Sequence, residues 1–75
     1  MGHPGAAHRA MGEYYALIGQ ATASLEQLTL ALRQPDLTAE QRLQIEERIK
    51  LLRKVVIDER QKSAPPDKYI HKNIL

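Results

Sequence analysis

A chain of 75 residues with a formal net charge of +2 and no cysteine has room for one small domain and excludes disulfides and thiolate metal sites. Domains this short bury only about 60% of the surface their unfolded chains expose, so association with another subunit is the expected stabiliser. The 11 basic and 9 acidic side chains are too evenly matched to imply a polyanionic partner, no apolar run reaches the ~18 residues of a membrane span, and the first residues lack the features of a secretory signal.

In chain order, residues 1–8 hold two glycines, a proline and two histidines without an apolar period, and they are expected to be disordered. Beyond them Tyr14, Ile18, Ala21, Leu25, Leu28 and Leu32 follow one another at spacings of 4, 3, 4, 3 and 4. That heptad seam predicts one helix over about 9–34. Pro35 stops it, because the residue before a proline is pushed out of the helical region. Pro35-Asp36-Leu37 then forms the turn.

Thr38 and Gln41 have the spacing of a capping box: the Thr38 hydroxyl accepts from the Gln41 amide while the Gln41 side chain reaches back. A second helix is expected over about 38–62, with Ile45, Ile49, Leu52 and Val56 as its seam. Glu46–Lys50, Lys54–Asp58 and Asp58–Lys62 would pair on its solvated side. Residues 63–75 form a tail: Pro65-Pro66 favours an extended exit, and Tyr69, Ile70, Ile74 and Leu75 suit a short docking segment. The fold class is therefore all-α, an antiparallel, coiled-coil-like two-helix hairpin over 9–62, completed into a bundle by self- or hetero-association.

Opposite the large seam of the first helix lie Gly12, Ala16, Gly19 and Ala23, with Leu30 continuing the line. Each glycine inside a helix costs about 1 kcal/mol relative to alanine. That cost is easiest to understand where another helix approaches too closely for a Cβ. These five residues, with Leu43 and Ile57 on the second helix and the four tail anchors, are the expected partner interface.

Catalysis finds no support. His3, His8 and His71 fall in the termini, no nucleophile stands beside a base, and phosphate-binding loops are absent. No cofactor, metal, small molecule or membrane is implied. The expectation is a soluble intracellular protein of cytoplasm or nucleus and a non-catalytic protein–protein interaction module. It would be a small helical subunit or adaptor that scaffolds, chaperones or regulates a helical partner, with a different protein preferred over a second copy. The alternative is a homodimeric four-helix bundle that binds nucleic acid through Arg48, Lys50, Arg53, Lys54, Arg60 and Lys62. Glu46, Glu47, Asp58 and Glu59 interleave with those cations, which favours an ion-paired surface instead.

Overall fold

The computed structural model describes residues 2–62. The tail and its anchors Tyr69, Ile70, Ile74 and Leu75 lie outside them. The described chain is all-helical and contains three helices, α1 (Pro4–Leu17), α2 (Ala21–Leu32) and α3 (Ala39–Lys62). Two expectations are corrected. Residues 4–8 belong to α1, and the expected first helix is two helices separated by Ile18, Gly19 and Gln20.

Each correction has a local cause. Pro4 occupies the start of α1, where its fixed φ suits a helix and its missing N–H is one that would lack a partner anyway. The break is a Schellman closure. Gln20 N donates to the Tyr15 carbonyl at 2.8 Å and Gly19 N to the Ala16 carbonyl at 3.2 Å. Between them Gly19 takes φ 82°, a conformation that other residues enter only at a cost of about 1–2 kcal/mol. Gln20 then starts α2, its carbonyl accepting from Ser24 N at 3.0 Å.

After the break the chain doubles back. A Cβ placed on Gly12 would come within 2.6 Å of Leu28 Cδ2 and 2.7 Å of Leu28 Cγ. Leu28 and Ser24 are both 0% exposed, and Ser24 Oγ donates to the Gly12 carbonyl at 2.6 Å. The close approach foreseen for a helix of another chain thus takes place within this one, α1 lying antiparallel on α2. Glycine at position 12 removes the bulk, Leu28 fills the space, and the serine hydroxyl satisfies its own buried oxygen. Ala16, on the same line as Gly12, packs partly buried against the core.

α3 covers the other flank of α2. Ala21, Leu28 and Ala31 of α2 meet Ile45, Ile49 and Leu52 of α3, with Leu25, Leu32 and Val56 partly buried beside them. Tyr14 and Ile18 do not join this core. They are 53% and 50% exposed, because the break at Gly19 turns the seam away from α2 just where they sit.

The loop between α2 and α3 ties the three helices together. Thr38 Oγ1 accepts from Gln41 N at 3.0 Å, and Gln41 Oε1 accepts from Thr38 N at 2.9 Å, closing both ends of the capping box on α3. Arg42 donates to the Leu32 and Gln34 carbonyls at the end of α2, where a cation also complements the helix dipole. Asp36 caps the start of α1 from a distance. Its carboxylate accepts from Gly5 N at 2.8 Å and Ala6 N at 3.3 Å, while His3, the residue before the helix, supplies no side-chain cap. A Cβ on Gly5 would stand 2.7 Å from Asp36 Oδ1 and 2.9 Å from Leu37 Cγ, so this contact too depends on a missing side chain.

Loss of solvent pushes the Asp36 carboxyl up, but hydrogen bonds from Gly5, Ala6 and its own amide, with the charge of His3, outweigh that and hold it below its ordinary 3.8. A depressed folded-state pKa adds stability that is complete above the unfolded value, about 3.9, and is lost as pH falls through the folded one. Thermal melting of the wild type is therefore expected to weaken more steeply below about pH 4 than that of Asp36→Asn; parallel curves would contradict the cap. Gly12→Ala is expected to lower stability by about 1–2 kcal/mol net, overpacking exceeding the gain in propensity. The same change in a Leu28→Ala background should cost much less, as urea unfolding would show.

Candidate docking face

The face best suited to a functional contact lies where α1 and α3 run side by side. Arg9 Nη2 donates to Gln44 Oε1 at 2.9 Å. Arg48 grips Glu13 with two bonds, Nε to Oε2 at 3.0 Å and Nη2 to Oε1 at 2.7 Å. Both pairs join residues 35 apart in sequence, so the two helices are parallel and in constant register. Parallel helices joined by long polar side chains leave a furrow between them, lined by Arg9, Glu13, Gln44, Glu47, Arg48 and Leu51 with Ile45 at its base.

Toward the Gly19 turn this furrow becomes apolar. The same register places Leu17 level with Leu52, next to Leu51, and Val55 one turn further on. Leu17 is 85% exposed and Leu51 is 58% exposed; Tyr14, Ile18 and Val55 are exposed at the same end. Single exposed leucines are ordinary. Leu51 and Val55, one turn apart on α3, with Leu17 level with them at the end of α1, leave exposed apolar surface at this end of the ion-paired furrow, the kind of surface that marks a contact site. The Glu13 hydrogen bond, and then its charge, raise the Arg48 pKa above its ordinary value.

The residues expected to meet a partner are scattered by the fold. Gly12 is buried against α2 and Ala16 is partly covered. Gly19 is in the turn, where its φ of 82° by itself calls for glycine, and no described residue comes within 4 Å of the point a Cβ would occupy. Ala23 and Leu30 are half-buried on the outer side of α2, and Leu43 and Ile57 stand exposed on α3. Leu17, Leu51 and Val55, which in the sequence merely flank the seams, are left exposed at the end of the α1/α3 furrow. Helical phase alone could have placed Leu51 and Val55 together, whereas Leu17 needed the break at Gly19.

His8 Nδ1 is engaged with Gln27 Oε1 at 2.8 Å, and among the described residues no three metal-capable side chains converge. No described helix is long and apolar enough to cross a membrane. No family model, curated protein or solved structure matches the chain.

The Glu13–Arg48 pair is 40–48% exposed, so solvent screens it. A double-mutant cycle is expected to give a coupling of at most about 1 kcal/mol that shrinks with added salt. A larger, salt-insensitive value would mean that the pair holds α1 onto α3.

Proposed function

We propose that this chain is a non-catalytic protein–protein interaction module, a small helical subunit or adaptor whose α1/α3 face docks a helical partner. The observation that carries the proposal is the exposed apolar end of the α1/α3 face, where Leu51 and Val55 of α3 and, level with Leu52 by register, the 85% exposed Leu17 of α1 are left uncovered. Leu28, Ala31 and Ile45 are already buried within one chain, so these side chains are not the unfinished core of a hairpin. A helix laid along the furrow would cover them and complete a fourth side of the bundle, as amphipathic helices do in hydrophobic grooves.

Two unlike faces on one long helix would favour a different protein over a second copy. The small face is used inside the chain at Gly12 and Ala16, and that ground is gone. Nucleic-acid binding through the second half of α3 is the weaker reading. Arg48 is engaged by Glu13 and Lys50 lies 3.5 Å from Glu47, whereas a phosphate-binding face concentrates unopposed cations.

A photo-crosslinking residue at position 17 is expected to yield adducts with a protein chain, and Leu51→Lys should reduce their yield about tenfold, the effect of losing a well-buried apolar anchor. The same residue at the exposed Ala7, nearly three turns away, is the control. Equal labelling from positions 7 and 17 would sink the proposal.

A further inference from the structure

α2 keeps one flank that the described helices leave open. Thr22, Leu25, Glu26, Thr29 and Arg33 follow along it, and Arg53 of α3 forms part of the opposite wall of a groove of about 640 Å³. Register fixes its length. Arg42 reaches the carbonyls of Leu32 and Gln34, and α3 runs antiparallel to α2, so Arg53, eleven residues on, stands level with Thr22. Arg33 and Arg53 thus bracket Leu25, their backbone positions about 16 Å apart along the helix axis. The ion pairs among the described residues are Glu13–Arg48 and Glu47–Lys50, which leave Arg33 and Arg53 open to an incoming carboxylate.

The same chain displays the complement. On α3, Glu47, Leu51, Val55 and Asp58 follow at spacings of 4, 4 and 3, and all four are exposed. Two carboxylates therefore bracket two apolar side chains, again eleven residues or about 16 Å apart. Glu47 is held only by Lys50, in a pair whose side chains are 63–71% exposed and which is worth little.

We infer that the partner of the docking face is a second copy of this chain, the stripe Glu47–Leu51–Val55–Asp58 of one molecule lying in the α2 groove of the next. The inference rests on the reading of the α1/α3 face as a docking surface and names what it docks. Carboxylates at both ends meet the arginines, whose planar forks suit them. Leu51 and Val55 settle over Leu25 and the methyl groups of Thr22 and Thr29. Stripe and groove lie on roughly opposite sides of α3, because their residues are about 150° apart around a helix of 3.6 residues per turn. The contact is therefore heterologous, and copies join head to tail instead of closing as a two-fold dimer. Glu26, midway along the groove, disfavours phosphate and faces the apolar centre of the stripe, where no carboxylate is brought against it.

Sedimentation of the full chain tests this. The wild type is expected to gain mass as concentration rises to the millimolar range. Arg33→Glu/Arg53→Glu and Glu47→Lys/Asp58→Lys should each weaken association by about tenfold or more, with helicity by circular dichroism unchanged. An equimolar mixture of the two variants should restore assembly, since the reversed groove of one fits the reversed stripe of the other. A wild type that stays monomeric overturns the inference, as does association that neither reversal weakens or that mixing fails to restore. A monomer that still crosslinks from position 17 to a different protein would leave the docking face standing and remove only the second copy.

Discussion

Everything in this fold depends on how closely α1 can approach α2. At Gly12 the two helices meet with no room for a methyl group, and Leu28 occupies the space that a Cβ would need. The contact also buries Ser24, whose hydroxyl is satisfied only because the Gly12 carbonyl lies 2.6 Å away. One small residue therefore decides both a packing contact and a polar one. With α1 on one flank of α2 and α3 on the other, a chain too short for a large core still buries Leu28, Ala31 and Ile45 almost completely. Asp36 then fastens the free end of α1 to the loop 31 residues away in sequence, so the start of the helix does not rely on His3.

Part of this was legible from residue order. The helical content, the stop at Pro35, the seam of Ile45, Ile49, Leu52 and Val56, and the Thr38/Gln41 spacing all rest on local chemistry. The missing helix break has a specific cause. Tyr14, Ile18 and Ala21 follow at spacings of 4 and 3, so in the sequence the heptad spacing runs unbroken through Gly19, although Tyr14 and Ile18 end up outside the core. The backbone reverses there without leaving a mark on the spacing of the large apolar residues. The signal that competed with periodicity was a glycine in the position of a helix C-cap, and a seam carried by large side chains outweighed it. The start at Pro4 was lost in the same way, glycines and histidines around it suggesting disorder while the proline marked a first turn.

The small residues teach a related lesson. Close approach was the right inference for Gly12, but one residue pattern cannot say which chain does the approaching. Gly19 shows that a second glycine on the same helical line had an unrelated purpose, a positive φ of 82°. Once both are accounted for inside the fold, the exposed side chains that need explaining are the large ones, Leu17 and Leu51 above all. The candidate surface thus lies at the apolar end of a furrow between two helices, not on the small face of one, and that difference follows directly from the chain reversal.

The reversal itself is open to direct measurement. The chain has no cysteine, so spin labels on cysteines placed at the exposed positions Ala7 and Thr29 would report one distance, with unlabelled chain added to suppress signals between molecules. Folding back at Gly19 puts these positions side by side, and an electron–electron separation under about 20 Å is expected, two label tethers added to an interaxial distance of about 8–10 Å. A continuous helix through Gly19 would hold them about 33 Å apart, and that result would contradict the account.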